Sequence, residues 1–197
     1  MPDHAIVEED VPAPEPERMS AVRTMVPAVG FSGTFIVARA DRPLTDLASM
    51  QGSGCVPEWW ARDGAWQILQ ASLGGDPRSS IVSETQAPVL VAHVLHSDFV
   101  TVQAAGPSGL FWQCALSPVM ARDYGFPEKW IGDADTVFRQ ACLWAREAGL
   151  RPDPSALRAA LVAEGDPLAE ALVFDLTQAL GFRFDGGAPL DPSVTGS

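Results

Sequence analysis

The hydrophobic rhythm of this chain changes once, near residue 117, and that change restricts the fold more than any other feature. Before it, apolar residues run in short blocks or at every second position; after it, they recur every three or four. A period of two places side chains alternately on the faces of a strand, and a period near 3.6 gathers them on one side of a helix. The first half therefore predicts strands and the second half helices.

The strand signal is densest in the middle of the chain. Pro88 to Leu95 (PVLVAHVL) is apolar on both faces, which suits a central strand. His96-Ser97-Asp98 supplies turn chemistry, and Phe99 to Ala104 then sets Val100, Val102 and Ala104 against Thr101 and Gln103. Residues 105–109 form a short connection to a third apolar run, Leu110 to Leu116, so the three make an antiparallel meander. Gly33 to Ala40 and Trp66 to Leu73 add two more strands, with Leu44 to Met50 as a short helix. Residues 52–64 (GSGCVPEWWARDG), with Gly at both ends, read as a long connection.

Beyond the switch, Ser117-Pro118 and Asp153-Pro154 each combine an N-cap residue with proline at the first helical position. Asp133 to Gly149 carries an apolar stripe through Val137, Phe138, Ala141 and Ala145. Pro167 to Leu180 carries another, and Gly181 stands where a C-terminal glycine cap belongs. Strands first and helices second define an α+β fold: a mainly antiparallel sheet of about five strands followed by a C-terminal group of helices packed on one face.

The 197 residues suit a single domain, expected over residues 19–184. Residues 1–18 hold four prolines and six acids against one Arg, and residues 185–197 are rich in Gly and Pro; both read as flexible tails. The formal net charge is −12, of which about −5 belongs to the part between the tails. An acid excess without a Lys/Arg cluster repels phosphate, which disfavours nucleic acid and anionic membranes as partners. No apolar run reaches the roughly 18 residues of a membrane span, and the N-terminus lacks the basic start and apolar stretch of a signal peptide. Three scattered cysteines, Cys55, Cys114 and Cys142, with no C-x-x-C pair, suit a reducing compartment. A cytoplasmic address is the expectation.

Catalytic patterns are missing at the level of sequence. His93 and His96 have H-x-x-H spacing, but on a strand three residues' separation sends them to opposite faces, so no metal site is expected. Gly30-Phe31-Ser32-Gly33 and Gly106-Pro107-Ser108-Gly109 each fall one residue short of a nucleophile elbow. No phosphate-binding glycine motif occurs, and Asp133 with Asp135 suits a helix start. No cofactor is expected.

The most unusual local feature is Glu58-Trp59-Trp60-Ala61-Arg62-Asp63. Adjacent tryptophans on extended backbone point opposite ways, so one of them would be exposed beside charge, as at a binding hot spot. The alternative is a short helix packing both rings over the sheet edge.

The order TFIVARADRPLTDL, WWARDGAWQILQ, APVLVAHVLHSDFVTVQ and AEALVFDLTQALGF is similar to that of uncharacterised α+β proteins of high-GC bacteria, some loosely grouped with immunity-like proteins. The resemblance spans residues 33–182 and implies a non-catalytic module that occludes the surface of a protein partner; it transfers no residue roles. Two functions follow as expectations. The first is an intracellular protein-interaction module using an acidic surface with Glu58, Trp59, Trp60 and Asp63. The second is a small-molecule binder or enzyme with a pocket between sheet and helices, lined by His93, Trp112 and Cys114.

Overall fold

In the computed structural model, which describes residues 30–72, 74–165 and 168–189, the chain is α+β. The strands are β1 (Gly33–Arg39), β2 (Pro57–Asp63), β3 (Trp66–Ser72), β4 (Val89–Leu95), β5 (Phe99–Ala105), β6 (Phe111–Leu116) and β7 (Asp185–Pro189). They form one sheet in the order β6-β5-β4-β1-β3-β2-β7, with every neighbouring pair antiparallel. The expected meander is β4-β5-β6, and PVLVAHVL supplies the central strand β4.

Two strands lie where the sequence predicts none. The connection over 52–64 contains β2, paired with β3 from Pro57↔Ala71 to Asp63↔Trp66 with a bulge at Glu58. Neither an exposed loop nor a short helix holds the two tryptophans. Residues 185–189, read as part of a flexible tail, are β7, which pairs with β2 at Trp59↔Pro189 and Arg62↔Asp185. Backbone pairing explains both corrections: an edge strand leaves a row of N–H and C=O groups to be satisfied, and a segment of low strand propensity can satisfy them. Residues 1–18 and 190–197 lie outside the described residues.

One face of the sheet carries Phe35, Val37, Ile68, Leu90, Val102 and Trp112 and is covered by three C-terminal helices. These are α5 (Ala134–Glu147), α6 (Pro154–Val162) and α7 (Glu170–Leu180). Trp144 of α5 is fully buried among Trp66, Trp112 and Phe182, and its indole N–H donates to the Ala105 carbonyl at 2.9 Å. Removing such a ring costs about 3–5 kcal/mol. Asp133 caps α5 by accepting from Thr136 N, and Asp153 caps α6 by accepting from Ser155 N and Ala156 N. Gly181 closes α7 at φ 109°, and a Cβ there would approach the Arg151 carbonyl to 2.8 Å.

The opposite face is covered as well, by shorter helices. A 3₁₀ turn (Leu44–Asp46), α1 (Ala48–Gln51) and α2 (Arg78–Thr85) bury Ile36, Leu69, Val89 and Val91 beneath Leu44, Leu47 and Ile81. Further along the same face, α3 (Pro118–Asp123) and α4 (Glu128–Ile131) bury Phe99 and Ala115 beneath Ala121 and Ile131. The expected cap at Ser117 is absent. Ser117 has φ 59°, and its hydroxyl donates to Glu164 instead, while the other Glu164 carboxylate oxygen accepts Val119 N at 3.1 Å. A carboxylate distant in sequence thus fills the cap that the adjacent serine cannot reach. No helix among the described residues is long and apolar enough to cross a membrane.

Candidate functional site

The two apolar clusters on the second face do not meet, and the gap between them is floored by polar side chains. Thr34 of β1, His93 of β4 and Thr101 of β5 are directly paired across three strands, so they form one row on one face. Gln103 lies two residues beyond Thr101 and shares that face. The expected alternation of β5 is therefore real, and its polar side points away from the C-terminal helices.

The gap is a groove of about 480 Å³. His93, Thr101 and Gln103 line its floor, Phe126 and Trp130 line one wall, and Asp76 and Arg78 stand at the other rim. Arg78 donates to Gln103 Oε1 at 2.6 Å, meets Asp76 at 3.3 Å and stacks over the Phe111 ring at 4.8 Å. Asp76 also accepts the backbone N–H of Arg78. The start of α2 is thus anchored to β5 and β6, with the charge of its arginine countered.

The His93 ring is fixed from behind. Its Nδ1 meets the Thr34 hydroxyl at 2.9 Å, and Thr34 is fully buried. Burial is the main influence on the ring and lowers its pKa below the usual 6.5, with Asp76 acting upward and Arg78 downward. Among the described residues neither His93 Nε2 nor the Thr101 hydroxyl has a hydrogen-bond partner, and neither is sealed from solvent. With Gln103 Oε1 held by Arg78, the Gln103 amide N–H₂ is also unpartnered. The groove therefore offers three polar groups beside two aromatic rings.

The pocket expected from His93, Trp112 and Cys114 does not exist. Trp112 and Cys114 face the C-terminal helices and are buried at 1% and 3% exposure, whereas His93 faces the other way. The sheet itself separates them, and the space between sheet and helices is filled by Trp144, Val173, Leu176 and their neighbours. Burial raises the Cys114 thiol to about 12, which removes it as a nucleophile at neutral pH.

The four residues of the Trp segment share β2 but not one surface. Trp59 is buried against Phe174, while Trp60 turns to the other face, half-buried, with the Arg62 guanidinium 5.5 Å from its ring centre. Glu58 accepts from Gln70 at 3.1 Å, and Asp63 accepts the backbone N–H of Arg183 at 2.8 Å. The segment acts as an inner strand of the sheet, paired with β3 on one side and β7 on the other.

The remaining sequence candidates are also in structural use. His96 and Ser97 occupy the β4–β5 turn with φ of 53° and 61°, and no group of three metal-ligating side chains forms among the described residues. Ser32 accepts His96 N, and Ser108 donates to Glu147 at 2.8 Å. Sequence reasoning missed Asp76, Arg78, Phe126 and Trp130, which lie in helix starts and connections. The polar positions on β5 were the available signal. No protein-family profile, curated protein or solved structure matches the chain.

Proposed function

We propose that this protein binds a small molecule in the groove between α2 and α4. The observation that supports it is the pair His93 Nε2 and Thr101 hydroxyl, adjacent across β4 and β5 beside Phe126 and Trp130 and both without a partner among the described residues. Polar groups set on a sheet between two apolar clusters cost stability unless something bonds to them, and water or a ligand fills that role. A volume of about 480 Å³ falls within the range of small-molecule sites. Among the described residues the groove holds no cysteine and its one imidazole has no carboxylate within hydrogen-bond range, so binding is favoured over covalent catalysis.

The test is a saturation-transfer NMR screen of small aromatic fragments against the wild type and Trp130→Ala. Fragments that bind the wild type and lose contact in Trp130→Ala support the site. An empty screen, or hits unchanged by the substitution, overturns it.

A second reading is the protein-interaction module, with the immunity-like proteins as its analogy. It is favoured by Val119 of α3 and Tyr124 just after it, which are 55% and 51% exposed, and by Val162 at 59%, on a chain with an acid excess. Retention of a basic protein partner by the wild type and its loss in Val119→Asp would support this reading, whereas equal retention would sink it.

A further inference from the structure

The geometry points to an uncharged planar heteroaromatic, with a hydrogen-bond acceptor toward one end and a second polar atom toward the other, as the ligand of the α2–α4 groove. This inference rests on the small-molecule reading above and narrows it by three features of the lining.

The first is charge. Among the described residues Arg78 is the sole cation of the lining, and it is already engaged by Asp76, by Gln103 Oε1 and by the face of Phe111. An anion entering the groove would compete with Asp76 for the guanidinium and would meet the field of an acidic protein. A cation would face an aspartate whose charge is already countered, with a neutral imidazole below. An uncharged molecule avoids both costs.

The second feature is the order of donors along the floor. Gln103 is a fixed donor here, because Arg78 holds its carbonyl oxygen and leaves the N–H₂ free. The Thr101 hydroxyl both donates and accepts, and His93 Nε2 takes whichever role its bond to Thr34 leaves it. Gln103 and Thr101 sit two apart on β5, about 7 Å along the strand, and His93 is directly opposite Thr101. A flat molecule laid against this floor needs an acceptor at the Gln103 end and a donor or acceptor at the Thr101–His93 end. Purines and pyridine carboxamides carry polar atoms at two such separated positions.

The third feature is the wall. Phe126 and Trp130 are both half-buried and line the side opposite Arg78. A π-system can stack on these rings, a gain beyond the area burial that an aliphatic chain would also make.

The experiment titrates the full chain with adenine, nicotinamide, nicotinate and toluene, following the Trp130 indole N–H in nitrogen-15-correlated spectra, assigned with Trp130→Phe. Adenine or nicotinamide should shift that signal saturably, more tightly than nicotinate or toluene. Gln103→Met, which keeps volume and loses the donor, and Thr101→Val should each weaken the tighter of the two by about tenfold, with dispersed spectra showing that both variants are folded. Preferential binding of nicotinate or toluene at Trp130 would overturn the ligand class while leaving the groove as a binding site. No shift of Trp130 with any probe, together with an empty fragment screen, would overturn both. Unchanged affinity in Gln103→Met and Thr101→Val would overturn the assigned polar positions.

Discussion

The hydroxyl of Ser97 donates a 2.5 Å hydrogen bond to the buried carboxyl group of Glu170, joining the β4–β5 turn to the first turn of α7. The same hydroxyl accepts Phe31 N at 3.0 Å, and the Ser97 carbonyl accepts Ala169 N at 2.9 Å. Two segments that are remote in sequence, one at Phe31 and one at the start of α7, thus converge on one turn residue. Ser97 holds φ 61°, a region that costs a non-glycine residue about 1–2 kcal/mol, so the bonds must outweigh that strain. Ser97→Ala removes the two bonds of the hydroxyl, leaves that of the carbonyl and keeps the strain, and should lower the unfolding free energy by about 1–3 kcal/mol. Ser97→Gly removes the hydroxyl's bonds and the strain together and should be milder by roughly 1 kcal/mol. Urea unfolding of the two variants checks the order, and equal losses would show that the turn is not strained.

His93 predicts a pH dependence of stability. Burial holds the folded ring's pKa below the unfolded value of 6.5, so the folded state binds its proton less readily. As pH falls through 6.5 the unfolded chain takes up a proton that the folded chain refuses, and stability declines until the folded pKa is reached. Above 6.5 both states are neutral at this position and the effect vanishes. Urea midpoints measured from pH 8 down to pH 5 should therefore fall less steeply in His93→Gln than in the wild type. Parallel curves would mean that the ring is charged as readily in the fold as outside it.

The sheet, the meander and the C-terminal helices were legible because their signals are local. PVLVAHVL cannot be satisfied with one face in water, and Asp153-Pro154 bonds its own next residues. What escaped was decided by partners distant in sequence. Residues 185–189, with two adjacent glycines, have no strand propensity of their own and pair because β2 leaves an edge beside them. Ser117 looks like a cap, yet Glu164 arrives from 47 residues away and fills the role. The groove was half legible: His93 and the polar side of β5 were visible, but periodicity does not tell which face of a sheet is which. Trp112 and Cys114 were therefore grouped with a histidine that the sheet keeps apart from them. Asp76, Arg78 and Trp130 gave no periodic signal at all.

Glu84 sets a second, lower window of acid sensitivity. Its carboxylate accepts the backbone N–H groups of Ser49, at 2.9 Å, and Ala48, at 3.1 Å, and pairs with Arg42, so it caps α1 from across the fold. Hydrogen bonding, that from the Ser49 backbone foremost, holds its pKa at about 2 against an ordinary 4.5. A depressed carboxylate contributes stability that is complete above 4.5 and is lost as pH falls toward 2. The difference in unfolding midpoint between wild type and Glu84→Gln should be largest near neutrality and shrink below pH 4.5. A difference that stays constant to pH 2.5 would show that the charge of Glu84 is not what holds α1.

The cysteines offer a direct check on which side of the sheet is sealed. Cys114 is 3% exposed beneath the C-terminal helices with its thiol raised to about 12, whereas Cys55 and Cys142 are both partly exposed and all three are free. The thiolate is the reactive form, so a thiol raised this far by burial is almost wholly un-ionised at pH 8 even if reagent could reach it. Titration of the native protein with a disulfide reagent at that pH should read two thiols per chain promptly and the third only after denaturant is added. Val173→Ala opens space in the layer that covers Cys114, and should speed the third reaction in proportion to the stability it removes, about 1–3 kcal/mol. Prompt reaction of three thiols in the wild type would mean that the helices do not close this face, and the separation of Cys114 from the His93 groove would lose its physical basis.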